Sequence, residues 1–405
     1  MKKYWKFTSI IAVIVLSIGT FYVNSAMSAI QYPEFVINKK SGNAEEIKSL
    51  VLDGAYHKVG SMNYLSTNLQ ITPDGSEFRN GGSSLLDLVI GRPAPMIQEL
   101  QEEYRNFMRG KGQNLDSFFE NNKLLAYAEV KQVDPLTSND FKFVISILDK
   151  DDGNTTSYNI KVPDSSVVDY IIVEDVQVVD NELKMITQNM TNENEKHYNE
   201  KHIYTLDIST GTISNNETIF SIPNQYDTHI DAHLIKTNPK QANENLIFLI
   251  TQSKMIQHEE SDMNGETSRE LISYNIKTTE QKTIELPKSL KEHQISFFDG
   301  STIYFSKLSE QNLVVTPFRI KNDQAGNEFT LKLSNETSNT ESPNIIVKDS
   351  KLYLSTQLTN LTTKASVAVF DVKTGQTLYE GEVERKDPPK NMEEFELYIY
   401  EVSVK

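Results

Sequence analysis

The sequence predicts an all-β protein: a β-propeller of six or seven four-stranded blades with one inserted helix, preceded by a single N-terminal transmembrane or signal segment. Three observations lead there: a hairpin phrase that recurs along the chain, a second phrase that follows it at a similar distance, and one uncharged apolar run beside the N-terminal lysines. The boundaries that follow are a signal anchor or signal peptide over 1–29, a tether over 30–46, and a propeller-like ectodomain over 47–405 with a helical insertion near 95–110.

The N-terminal segment comes first. After Lys2, Lys3 and Lys6 the chain is uncharged from Phe7 to Val23 and contains Ile10, Ile11, Val13, Ile14, Val15, Leu16 and Ile18. Positive residues ahead of such a run keep the N-terminus in the cytoplasm and send the rest across. With its uncharged continuation through Ala29 the run reaches the roughly 20 residues a bilayer requires, which favours an uncleaved anchor. A cleavable signal peptide is the other reading, because Ala26-Met27-Ser28 offers small residues where signal peptidase inspects the chain.

From about Leu50 the pattern is short apolar runs broken by Asn, Asp and Gly. The first phrase reads Val178-Val179-Asp180-Asn181-Glu182-Leu183, Phe297-Phe298-Asp299-Gly300 and Ile346-Val347-Lys348-Asp349-Ser350-Lys351-Leu352, with a looser copy from Phe118 to Leu124. Asp and Asn tolerate tight turns and Gly reaches positive φ, so each copy predicts a hairpin between half-buried strands. The second phrase runs from Ile203 to Gly211, from Ile272 to Thr279 and from Val367 to Gly375. Each copy places a strand before a Thr-Gly-type turn and another after it, and Pro163, Pro223 and Pro287 close several of these second strands. Two hairpins make a four-stranded unit with a period of about 45 to 65 residues, close to that of propeller blades. The strand from Glu396 to Val402 is expected to close the ring on the N-terminal unit, which removes exposed edges.

The phrase ending Asp371-Val372-Lys373-Thr374-Gly375 resembles the outer-strand motif of quinoprotein-type propeller repeats, although the chain's only Trp is Trp5. That resemblance implies the propeller architecture and no particular activity.

One segment departs from the β pattern. Met96, Leu100, Tyr104, Phe107 and Met108 recur at helical spacing, Pro93 and Pro95 mark a start and Gly110 an end. A helix packed by its apolar stripe is expected there, with a lid or docking helix as the sharper reading. Polar stretches at Asn189 to Glu200 and His258 to Arg269 read as exposed rim loops.

Composition narrows the function. Lys and Arg number 40 against 56 Asp and Glu, a net charge of −16, so a general basic field for nucleic acid is excluded. The chain has no Cys, which excludes disulfides, thiolate metal sites, thiol nucleophiles and a lipoprotein anchor. Its Lys-, Asn- and Ile-rich style suits a low-GC bacterium. No Gly-x-Ser-x-Gly elbow, Walker loop, dinucleotide fingerprint or His-Glu-x-x-His helix is present, and no cofactor is implied.

The strongest chemical constellation is His229-Ile230-Asp231-Ala232-His233. On a strand the three polar side chains share one face, and two imidazoles with a carboxylate suit a divalent ion; the plainer reading is a solvated strand face. Asp149 to Asn154 faintly resembles a calcium loop, but Ile160 falls where the closing Glu belongs, so a hairpin turn is the reading. The His258-Glu259-Glu260-Ser261-Asp262 run suits a solvated loop in so acidic a chain.

The expectation is a membrane-anchored, extracytoplasmic binding or regulatory protein, non-enzymatic, that contacts another envelope or membrane protein through rim loops. The alternative is a secreted or anchored propeller-type enzyme acting on cell-wall or polysaccharide material. The sequence fixes neither the partner nor the oligomeric state.

Overall fold

The structure is a computed structural model that describes residues 10–11, 13–20, 32–58, 67–78, 93–133, 140–193, 196–224, 228–235, 239–240, 242–254, 267–309, 312–333, 343–357, 365–387 and 395–404. Strand β1 (Phe35–Gly42) and a 3-10 turn (Ala44–Ile47) precede β2 (Leu50–Lys58), β3 (Thr67–Thr72) and β4 (Gly75–Phe78). Helices α1 (Pro95–Glu103) and α2 (Arg105–Met108) follow. Then come β5 (Phe118–Glu120), β6 (Leu124–Gln132), β7 (Phe141–Asp149), β8 (Thr155–Lys161), β9 (Val168–Val179), β10 (Glu182–Glu193), β11 (Lys196–Asp207) and β12 (Thr212–Pro223). The series continues with β13 (Thr228–Leu234), β14 (Asn245–Lys254), β15 (Thr267–Asn275), β16 (Gln281–Ile284), β17 (Gln294–Phe298), β18 (Thr302–Ser309), β19 (Asn312–Arg319), β20 (Gln324–Ala325) and β21 (Phe329–Lys332). It ends with β22 (Asn344–Lys348), β23 (Lys351–Gln357), β24 (Ala365–Asp371), β25 (Thr377–Arg385) and β26 (Phe395–Val404).

Among the described residues these strands form six sheets. Three are four strands in chain order: β5 to β8, β9 to β12 and β13 to β16. A fourth runs β17-β18-β19-β20 with β21 also on β19, a fifth runs β22 to β25 with β1 added outside β25, and the sixth runs β26-β2-β3-β4. The repeat of one up-and-down unit along the chain makes this a β-propeller-like fold, as the two phrases predict.

Both phrases occupy fixed places in the unit. The first is the hairpin between strands one and two: Asp180 and Asn181 join β9 to β10 with φ of 50° and 66°, and Asp349 and Ser350 join β22 to β23 with φ of 51° and 61°. Consecutive positive φ values are what a two-residue hairpin matching the strand twist requires, and Asp and Asn reach them at low cost. The second phrase is the hairpin between strands three and four, and its chemistry repeats. The side-chain oxygen of Asp207 accepts the N–H groups of Ser209 and Thr210 at 2.7 and 3.1 Å, while its carbonyl accepts that of Gly211 at 2.9 Å. Asn275 does the same for Lys277, Thr278 and Thr279, and Asp371 for Lys373, Thr374 and Gly375. Asp149, with Asp151 and Gly153, gives a fourth and shorter version, so this segment is the expected hairpin. The residue four places on has positive φ in all four: Gly153 71°, Gly211 69°, Thr279 59° and Gly375 70°.

The fold divides into two compact units, one of residues 1–95, 307–315 and 329–405 and the other of 96–306 and 316–328. In the first, β26 pairs antiparallel with β2, Leu50 opposite Val404 through Lys58 opposite Phe395. The sequence leads one to expect this pairing of the 396–402 strand with the N-terminal unit. Its core gathers Leu50, Leu52, Leu69, Ile71, Val367, Val369, Val383, Leu397 and Ile399 around Phe35, Tyr56 and Tyr379. At the bulge beside Gly54 the strands approach so closely that a Cβ would lie 2.7 Å from the Tyr398 carbonyl oxygen.

In the second unit each sheet presents one face to a neighbour. Phe143, Ile145 and Val173 with Met185, Tyr204 and Leu206 join the β5–β8 and β9–β12 sheets. Ile186, Ile203 and Ile219 with Leu246, Phe248 and Tyr274 join β9–β12 to β13–β16. One contact fixes a turn: the Tyr158 hydroxyl donates to the Ile208 carbonyl at 2.9 Å, and its ring lies where a Cβ on Gly211 would sit, 2.2 Å from Cε1.

The insertion is helical as expected, in two pieces. The helix breaks at Tyr104 (φ −118°, ψ 49°) and Gly110 ends it at positive φ. Its buried stripe is Ile97, Leu100, Phe107 and Met108, so it packs as a core element. Two expectations change. Asn189 to Glu200 is not a rim loop: β10 and β11 stay paired from Asn189 opposite Glu200 to Glu193 opposite Lys196, because polar partners face one another across the ladder. Part of the expected tether is β1, whose partner β25 lies far along the chain. Residues 255–266, which hold most of the second polar stretch and the whole His258 run, lie outside the described residues. Residues 10, 11 and 13–20 are helical with Ile10, Ile11, Val13, Ile14, Val15, Leu16 and Ile18 exposed, and no helix among the described residues is long and apolar enough to cross a membrane.

Three substitutions test the turn argument in chemical denaturation. Gly153→Ala, with nothing within 4 Å of the added Cβ, is expected to lose about 1 to 2 kcal/mol from backbone strain alone. Gly211→Ala loses more, about 2 to 4 kcal/mol, because Tyr158 must move as well. Thr279→Gly, which relieves a β-branched residue at positive φ, gains about 1 kcal/mol.

Candidate functional site

Strand β13 alternates as the His-x-Asp-x-His spacing requires. Thr228, Ala232 and Leu234 are buried; His229, Asp231 and His233 share the opposite, exposed face, lying against Ser253, Thr251 and Leu249 of β14. No group of three or more His, Cys, Asp or Glu side chains among the described residues is gathered so as to hold a metal ion. Asp231 is one of the negative charges that raise the pKa of Lys201 in the adjoining sheet, after Glu174.

Lys201 is the centre of a buried polar cluster built by the β9–β12 sheet. Its side chain is fully buried, its Nζ lies 2.6 Å from both carboxylate oxygens of Glu174, and it donates to Gln188 Oε1 at 3.2 Å. The register explains the meeting. Gln188 stands directly opposite Lys201 in the β10–β11 ladder. Glu174 is the extra residue of a bulge in β9, where Ile186 faces Asp175 and Thr187 faces Val173, and a bulge re-aims the side chain it inserts. Burial holds the Lys201 ammonium below the usual lysine range, with Glu174 and then Asp231 pulling it back up.

Around the same strands lies a second network. Thr187 Oγ1 meets Asn189 Oδ1 at 2.8 Å, and Asn189 Nδ2 donates to the Tyr204 hydroxyl at 3.1 Å. Ser221 Oγ donates to Glu200 Oε1 at 2.7 Å, while His202 Nε2 lies 2.9 Å from Glu200 Oε2 with its ring stacked on Tyr204. The carboxylate sits between the hydroxyl and the imidazole, so the histidine is not placed to take a proton from Ser221. Burial pushes the Tyr204 phenol up to about 12 and raises those of Tyr127, Tyr274 and Tyr304 further.

Other features are simpler. An open depression of about 440 Å³ is lined by Ser268, Arg269, Lys291 and Glu292, and Arg269 donates to the His293 carbonyl at 3.2 Å. Asp152 in the Asp149 hairpin accepts the Asn154 N–H at 2.8 Å and its side-chain amide at 2.7 Å, which holds the carboxyl below its usual range. Tyr398 and Tyr400 of β26 are exposed. Sequence reasoning passes over Glu174 and Lys201 because the polar run beside Lys201 reads as a loop; the acidic pair Glu174-Asp175 inside the aliphatic β9 segment is the available signal.

No protein-family model and no curated protein sequence matches the chain. Among solved structures it is similar to TolB from Acinetobacter baumannii, at 14% identity and a TM-score of 0.33 over 84% of this chain, and it spans 65% of that chain. A variant of Synechocystis apocarotenoid oxygenase is 8% identical with a TM-score of 0.44, over 92% of this chain and 95% of that one. The cobalt-substituted form of that oxygenase is 9% identical with a TM-score of 0.41, over 92% and 96%. None of these likenesses carries an argument about what this chain binds or does.

The buried pair yields a pH-dependent prediction. Glu174→Gln leaves a buried ammonium without its anion and is expected to cost about 3 to 5 kcal/mol near neutral pH. It also lowers the Lys201 pKa further, so the unfolded chain binds more protons than the folded one below about pH 10, and stability recovers as pH rises through that window. The raised tyrosines have the opposite sign: they hold their protons longer when folded, so the parent protein loses stability as pH climbs past about 10. Denaturation across pH, with an ultraviolet titration of the phenols, checks both slopes.

Proposed function

We propose that this chain is a membrane-anchored, extracytoplasmic binding or regulatory protein of propeller type, the six described sheets serving as its blades, and that it contacts another envelope component. The observation that carries this reading is the N-terminal helix. Its seven apolar side chains at Ile10, Ile11, Val13, Ile14, Val15, Leu16 and Ile18 all face outward, none taken into the core. An apolar helix left uncovered in water is costly, and the hydrocarbon of a bilayer removes that cost. Three lysines precede it and a strongly acidic chain follows, the charge order of a segment whose N-terminus stays in the cytoplasm.

A binding role is supported by the kind of polar chemistry in the body. Several ionised and hydroxyl groups of the β9–β12 sheet are engaged with one another: Lys201 with Glu174, and Ser221 and His202 with Glu200. Surface loops on such a scaffold are the usual carriers of recognition.

The test is double substitution of the helix, Ile14→Lys with Leu16→Lys, in bacterial cells producing the full chain. Each lysine at the centre of a spanning helix is unfavourable by about 2.5 to 3.5 kcal/mol, so the parent protein is expected in the membrane fraction and the variant in the soluble one. Because the chain has no cysteine, a single one introduced at exposed Lys373 reports its side of the membrane by labelling with an impermeant maleimide. Labelling only after lysis, or a parent protein that stays soluble, rules the reading out.

A further inference from the structure

Strand β1 stands apart from the other strands of its unit. The sheet β22 to β25 is already the four-stranded repeat found elsewhere, and β1 is a fifth strand laid along the outer edge of β25. Its burial falls away along its length: Phe35 is fully buried, Val36 and Ile37 are half-buried, and Asn38 to Gly42 are exposed. What holds the exposed part, besides the ladder, is charge and polarity. Lys40 meets Glu382 at 3.2 Å, Ser41 donates to Glu380 at 2.9 Å and Asn38 bonds Glu384; at the other end, just before Phe35, Lys386 meets Glu34 at 2.9 Å. Surface pairs of this kind are weak and screened by salt.

The two ends of β1 are fastened differently. At the far end Gly42 (φ 81°) is wedged so that a Cβ would lie 2.1 Å from the Leu378 carbonyl oxygen, and the Asn43 N–H donates to that carbonyl at 3.0 Å. At the near end the fastening is aromatic. Tyr32 stacks on Phe78 at 4.6 Å, Phe35 lies edge-on to Tyr56 at 6.1 Å, and the Phe35 N–H donates to Ser76 Oγ at 2.8 Å. Thus β1 is laddered to β25 of one sheet and pinned through Tyr32 and Phe35 to β2 and β4 of the other.

We propose that Tyr32 to Gly42 is a latch, a detachable fifth strand that peels from its aromatic end and leaves both four-stranded sheets and the β26–β2 seam in place. Peeling begins at the end nearest the N-terminal helix, so tension on that helix acts on the pin first. Release uncovers the outer edge of β25, a row of N–H and C=O groups that serves as a template for an added strand. The inference rests on β1 itself and stands whether or not the helix enters a membrane.

Hydrogen exchange on the full chain tests it. Phe35→Ala is expected to speed exchange at the β1 amides at least ten-fold, and more at high salt, with the β26 and β2 amides keeping their protection. Exchange of β1 together with β2 and β26, in the parent or the variant, would show an integral strand and overturn the latch. A second arm avoids the risk that the variant unfolds: Val36→Cys with Glu384→Cys, residues directly opposite in the ladder, in a chain with no other cysteine. Oxidation is expected to slow exchange at β1 alone and reduction to restore it; identical exchange in the two states refutes the proposal.

Discussion

Each of these sheets has two faces and cannot bury both by itself. That constraint governs the rest. The β9–β12 sheet offers Met185, Tyr204 and Leu206 on one side and Ile186 and Ile203 on the other, and different neighbours cover the two sets. Alternation along a strand then fixes everything downstream: a slip of one residue in β10 or β11 would exchange the two sets and separate Lys201 from Gln188. The turns are tuned to prevent such a slip. Asp or Asn ends the third strand in four sheets and holds the next backbone N–H groups, so the register is set locally before packing confirms it.

Much of the architecture was legible because turn chemistry is local. Asp180-Asn181, Asp349-Ser350 and the Asp207, Asn275 and Asp371 turns announce themselves in the residues that form them, and all fall where the repeated unit needs them. Strand β26 was legible too, because Leu397, Ile399 and Val402 are apolar with Tyr398 and Tyr400 between them. Illegible were the features whose partners are remote. Nothing in Phe35 to Gly42 marks a strand until Glu380, Glu382 and Glu384 are brought beside it. The outer ends of β10 and β11 are polar enough to read as loop, and they are strands because Thr191 meets Tyr198 and Asn189 meets Glu200 across the ladder.

The candidate site shows the same divide. The spacing His229, Asp231, His233 does place three side chains on one face, as any strand would. Whether a shared face becomes a site depends on what stands beside it, and the buried polar centre of this region is instead a lysine of another sheet, held by a glutamate that a bulge has turned. Neither the bulge nor the distance from Glu174 to Lys201 can be read from periodicity.

The ladder between β26 and β2 has a consequence for how the protein is made. β2 and β26 are the second and the last of the described strands, so the β2–β4 segment emerges from the ribosome long before its partner β26 exists. Contacts this remote form late and slowly, since loop closure precedes any gain from them. During that interval Leu50, Leu52, Leu69 and Ile71 have no cover from Leu397 and Ile399 and are open to association with other chains. Burial of these early strands therefore waits until the chain has been made through β26.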